Sequence, residues 1–116
     1  MTLQETGKIK SSSMEYTDKY YRVTHNGIGI YEAFRQEVGE EMWNNFLDSP
    51  MAEWLPKLDK YLDEYKRYFT EEGYDMFQQR TWTYMIKYVG TMKIETYTDL
   101  PNNIIYKDKY QVIIDN

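Results

Sequence analysis

The chain contains no cysteine. Disulfides, thiolate nucleophiles, iron–sulfur clusters and cysteine-ligated zinc are therefore excluded. Histidine occurs once, at His25, so any metal site would depend on carboxylates such as Asp59 and Asp63, and none is expected. Serine is confined to the amino-terminal part of the chain and Ser49, which leaves no serine–histidine–aspartate triad to argue for. No apolar run approaches the roughly 20 residues of a membrane-spanning helix. The opening segment MTLQETGKIKSSS lacks the apolar centre of a signal peptide. The expectation is a cytoplasmic protein that does not engage a membrane.

Nineteen acidic residues against fourteen basic ones give a net charge of −5. That balance opposes direct binding of nucleic acid, which needs a basic face, and suits a protein partner with a basic surface. Tyrosine is abundant, at thirteen residues, and with three tryptophans and four phenylalanines the aromatic share reaches 17%. Stiff, amphipathic tyrosines fill small cores and also anchor interfaces. Self-association as a homodimer is a further use for such a surface.

At 116 residues the length fits one domain. Residues 1–18 read as a polar tail and 19–116 as a single α+β domain. YYRVT, from Tyr20, alternates and is rich in aromatic and β-branched residues, which predicts a strand. Asn26-Gly27 is a turn signal. The sequence then continues Gly27-Ile28-Gly29 into a helical stripe of Ile30, Phe34 and Val38, ending at Gly39. A dinucleotide fingerprint would place a third glycine where Glu32 stands, and a carboxylate there repels a pyrophosphate. Both glycines are instead expected to supply positive φ at a sharp strand-to-helix corner.

A second helix is predicted over EEMWNNFLD, and Ser49 is expected to cap a short turn begun by Pro50. Leu58, Tyr61, Leu62, Tyr65 and Phe69 have helical spacing, although the RYFT end of that run also fits a strand. Thr70 is a plausible cap for one long helix reaching about Tyr88 and stopped by Gly90. Beyond it the period becomes two, and TMKIETYT and NIIYKDKYQVIID predict a three-stranded β-meander. The fold expectation is a small, mostly antiparallel sheet, made by the first strand and this meander, packed against three or four helices.

No residue pair or cluster demands catalysis or a cofactor. The segment carrying Asp59, Tyr61, Asp63, Glu64 and Tyr65 combines aromatic anchors with carboxylates and is the candidate partner-binding surface. The leading function is a non-catalytic inhibitor or adaptor acting on a larger partner.

The segments YRVTHNGIGIYEAF, WLPK, YFTEEGYDMF and IIYKDKYQVII together resemble a family of small uncharacterised bacterial and phage proteins with the same order of segments. The likeness spans most of the chain from Tyr21 onward, carries no established activity, and permits a phage counter-defence role. Three further features resemble ADP-ribosyltransferases: Arg22 on the first strand, Tyr68-Phe69-Thr70, and Gln111 near a late strand. In that alternative Arg22 would bind the phosphates of NAD, with Tyr68 and Thr70 beside the cofactor. Gln111 would stand where the catalytic acid often lies.

Overall fold

The structure is a computed structural model, and it describes residues 19–58, 60, 65–100 and 103–115. The elements are β1 (Tyr20–His25), β2 (Ile28–Gly29), α1 (Ile30–Leu47), α2 (Pro50–Glu53), β3 (Tyr65–Phe69), α3 (Glu71–Arg80), α4 (Trp82–Val89), β4 (Lys93–Tyr97), β5 (Ile104–Lys107) and β6 (Gln111–Asp115). Six strands form one antiparallel sheet beside the helices, an α+β architecture.

The sheet runs β2-β1-β3-β6-β5, with β4 also on β1. Thr24 pairs with Gly29 on one side and Lys93 on the other, so β2 and β4 lie on opposite edges of β1. β4 follows β1 along five pairs. On the other edge, β2 takes Thr24 and His25 while β3 meets only Tyr21, through Phe69. Between those contacts, Arg22 and Val23 have no strand beside them on that edge. The expected meander is thus divided: β5 and β6 form a hairpin at one end, and β4 crosses to β1 at the other.

Local chemistry explains several boundaries. Asn26 and Gly27 have φ of 52° and 80°, the positive pair of a two-residue type I′ hairpin turn. Gly29 corrects the sequence reading, since its φ of −55° is ordinary for any residue. The predicted break at Gly39 is a kink with φ 87° inside α1. Ser49 stands at the cap position of α2, but its hydroxyl donates to the Phe46 carbonyl (2.6 Å) rather than capping. Thr70 does cap α3, accepting from the Gly73 N–H at 3.0 Å.

Two elements differ from expectation. Tyr65–Phe69, read as the end of a helical stripe, is a central strand with five partners on β6. Cross-strand pairing overrides a periodicity that fits helix and strand alike. The single helix expected from Glu71 to Tyr88 is broken at Thr81, which has φ −123° and ψ −29°. Its fully buried hydroxyl donates to the Met51 carbonyl at 3.1 Å, a long-range bond that fixes the chain at the break.

The helices cover one sheet face through an aromatic core. Phe34, Phe46, Phe69 and Phe77 are almost wholly buried and are joined by Tyr31, Trp43 and Trp54. Their ring centroids lie 5.2–6.3 Å apart in tilted, edge-on and stacked pairs. The other face carries a smaller cluster of Tyr68, Val112 and Ile114, flanked by Tyr20, Tyr97 and Leu100.

Tyr31 makes a test of this core. Its ring is packed among phenylalanines, and its hydroxyl is buried beside Thr81, whose own hydroxyl proton is committed to the Met51 carbonyl. Burial therefore raises its pKa, against the attraction of Arg67. A tyrosine whose pKa is raised by folding contributes stability in full below its ordinary value near 10, and loses it as pH rises further. Tyr97 acts in the same direction: a hydrogen bond with Glu95 and burial push it up to about 12. Arg67, lowered to about 10 by burial, partly opposes them, because deprotonation relieves its burial cost. The urea midpoint is expected to fall between about pH 9 and about pH 11. Tyr31→Phe should lessen that fall while staying within about 1 kcal/mol of wild type at neutral pH. An unchanged alkaline fall in the variant would contradict this account.

Candidate interaction surface

Among the described residues Arg67 is the most buried cation, at 9% exposure. It leaves the helix-facing side of β3, donates to the Gln111 side-chain carbonyl through Nη1 and to the Leu58 carbonyl (3.4 Å) through Nη2, and lies over the Tyr31 ring. Gln111 is fully buried and uses its amide nitrogen on the Pro56 carbonyl (2.6 Å) and on Asp108 Oδ2 (3.2 Å). Asp108 in turn accepts from the backbone N–H groups of Tyr110 and Gln111 and from the Tyr106 hydroxyl. This chain of bonds ties the central strand, the 56–58 segment and the β5–β6 turn together.

Beside it, the gap between β1 and β3 forms a crevice of about 30 Å³ lined by Arg22, Glu32, Tyr65, Arg67, Gly29 and the start of α1. Arg22 spans the gap. Its Nη1 donates to the Arg67 carbonyl at 3.4 Å, and its guanidinium carbon lies 5.9 Å from the centre of the Tyr68 ring. Tyr68 meets Tyr97 edge-on at 5.3 Å, and Tyr97 donates to Glu95 at 2.6 Å.

The candidate residues from the sequence are placed as follows. Tyr65 is half-buried and lines the crevice. Asp59, Tyr61, Asp63 and Glu64 lie outside the described residues. Of the NAD-binding alternative, Arg22 and Tyr68 touch. Thr70 spends its hydroxyl on the α3 cap and on the Lys109 carbonyl (2.8 Å). Gln111 is enclosed in the Arg67 network on the opposite sheet face from Tyr68. The four do not surround one cavity, and the crevice at Arg22 is far below the ~300–1,000 Å³ of small-molecule sites.

His25, expected in the turn, is instead the last residue of β1, paired with Ile28 next to the turn. Its Nδ1 donates to the Thr91 carbonyl at 2.9 Å, so Nε2 is left to accept from Asn26 at 3.2 Å. Among the described residues no group of three or more histidine or acidic side chains is placed to hold a metal ion, and no described helix is long and apolar enough to cross a membrane.

No protein-family model, curated protein or solved structure matches the chain.

Among the described residues, the helical side and the strand side differ in sign. Exposed helical positions carry Glu37, Glu40, Glu41, Glu53, Glu71, Glu72 and Asp75, with Asp48 at the end of α1, against Arg80 and Lys87; Glu40 is paired with the partly exposed Arg35 at 2.7 Å and Glu72 with Lys109 at 3.5 Å. Strand positions facing away from the helices carry Arg22, Lys66, Lys93 and Lys107 against Glu95. The sequence could not show this segregation, since it depends on which strand residues share a face.

Proposed function

We propose that the protein is a non-catalytic interaction module, an inhibitor or adaptor, that docks its acidic helical layer on the basic surface of a larger protein. The observation that supports this reading is the concentration of exposed carboxylates on the helices while the basic strand residues face the other way. An acidic layer accelerates encounter with a basic partner and fixes orientation more than it adds affinity. The buried polar groups around Arg67 act as structural ties in this reading, because their hydrogen bonds are directed within the protein. Masking a basic site by shape and charge is also how a phage counter-defence protein would act.

The test compares capture by the wild type, by a Glu37→Lys/Glu40→Lys/Glu41→Lys variant and by a Lys66→Glu/Lys93→Glu variant. A defined partner should be retained by the wild type and by the strand variant. It should be lost by the helix variant, and lost from all in about 0.5 M salt, where charges are screened beyond a few ångströms. Equal retention by the helix variant, or no specific partner for the wild type, would overturn the proposal.

A further inference from the structure

We infer that the crevice between β1 and β3 is a binding site for a single carboxylate group. The inference starts from Arg22. This guanidinium is half-buried, yet among the described residues its only hydrogen-bond acceptor is the Arg67 carbonyl, at a long 3.4 Å. A guanidinium offers five N–H donors in a fixed fork that matches a carboxylate. The Tyr68 ring holds the group in place from one side without supplying a counter-ion. Absence of a Gly29 side chain leaves the other side open, where a Cβ would come within 3.8 Å of both terminal nitrogens.

The size and charge of the crevice select the ligand. About 30 Å³ accommodates roughly two oxygen-sized centres, taking about 10–15 Å³ for each, so a carboxylate head fits with its substituent in the mouth. Arg22 and Arg67 supply two positive charges and Glu32 one negative charge on the same lining. Glu95 faces Arg22 across the β1–β4 pair and Asp108 acts on Arg67, so the surroundings are not strongly positive, which disfavours a phosphate dianion more than a carboxylate monoanion. Arg67 contributes potential from below, held by Gln111 and the Leu58 carbonyl. Tyr65, on the same lining, brings an aromatic ring beside the entering group. Glu37, Glu40 and Glu41, which the docking reading uses, do not line the site, so it stands or falls independently of that reading.

Free small carboxylates and the carboxylate of a bound peptide share this chemistry, and a nitrogen-15 titration of the full chain separates them. Sodium acetate is compared with sodium chloride at constant ionic strength. A capped dipeptide with a free C-terminus is compared with its amide. Saturable shifts are expected at the Arg22 side-chain Nε–H and the amides of residues 29–33, with acetate in roughly the millimolar range. Tighter binding of the free dipeptide than of acetate would assign the site to a partner's carboxylate. Equal binding would assign it to small carboxylates. Arg22→Gln should weaken either ligand at least about tenfold, and Arg22→Lys, which keeps the charge without the fork, several-fold. Amide signals of α3 and α4 report whether each variant keeps its fold. Linear shifts shared with chloride or the amide would overturn the inference. So would saturable binding of undiminished affinity in whichever of the two variants remains folded.

Discussion

Replacing Gly73 with alanine is expected to destabilise the protein by about 3 kcal/mol. In an exposed helix the same change would be favourable by roughly 0.5–1 kcal/mol, because alanine is the better helix former. Here the first turn of α3 lies against the β5–β6 turn, and an added Cβ would fall on the Tyr110 carbonyl oxygen, 2.7 Å from its carbonyl carbon and 3.1 Å from its Cα. All of those atoms are backbone, so no side-chain rotation can relieve the overlap. The turn cannot retreat freely either. The Tyr110 carbonyl accepts from the Thr70 N–H at 3.1 Å, Thr70 donates to the Lys109 carbonyl, and Asp108 fixes the turn from within. Overpacking of this kind costs about 1–3 kcal/mol or more and outweighs the propensity gain. At about 4–8 °C per kcal/mol the melting temperature should drop by roughly 10–20 °C in a circular-dichroism scan. Thr70→Ala, which removes only the cap, should cost about 1 kcal/mol. A Gly73→Ala protein as stable as wild type would mean that the approach of α3 to the turn is looser than described.

The contrast between Gly73 and Asn26-Gly27 shows what the sequence made legible. Asn26-Gly27, Thr70 and Gly90 act within a few residues of themselves, and each sits at the boundary its chemistry predicts. Gly73 looks like any helical glycine until Tyr110, 37 positions away, is brought against it. β3 has the same character. Tyr65–Phe69 satisfies both periodicities, and only its ladder with β6 decides between them. The α+β class was legible because the apolar period changes from 3.6 to 2 along the chain. The position of β4 was not, since consecutive strands need not be neighbours and β1 offered a full free edge. Arg22 drew notice only through the likeness to the first strand of ADP-ribosyltransferases. The gap that leaves it short of acceptors depends on β1 and β3 meeting at one pair alone, a property no local pattern encodes.

Arg67 and Gln111 are expected to be energetically coupled, and a double-mutant cycle measures that directly. Arg67→Met removes a buried charge but leaves the Gln111 side-chain carbonyl and the Leu58 carbonyl without this donor. A hydrogen bond to a charged group contributes about 1.5–3 kcal/mol, and a buried polar group left without its partner costs about 1–3 kcal/mol. Gln111→Leu has a comparable effect for the converse reason, because it takes the neutral acceptor from a guanidinium that is only 9% exposed, and it frees the Pro56 carbonyl and Asp108 as well. In the double variant neither strands the other, and two apolar side chains meet between β3 and β6. The double change should therefore cost less than the two single changes added, by roughly 1–3 kcal/mol. Urea unfolding at neutral pH, with the slope checked for each variant, gives the four free energies. Additive costs would mean that Arg67 and Gln111 are separately solvated and that the network does not join the central strand to the β5–β6 turn. A coupling of the expected size would make this buried network the tie that sets β3 in its place, and with it the width of the crevice at Arg22.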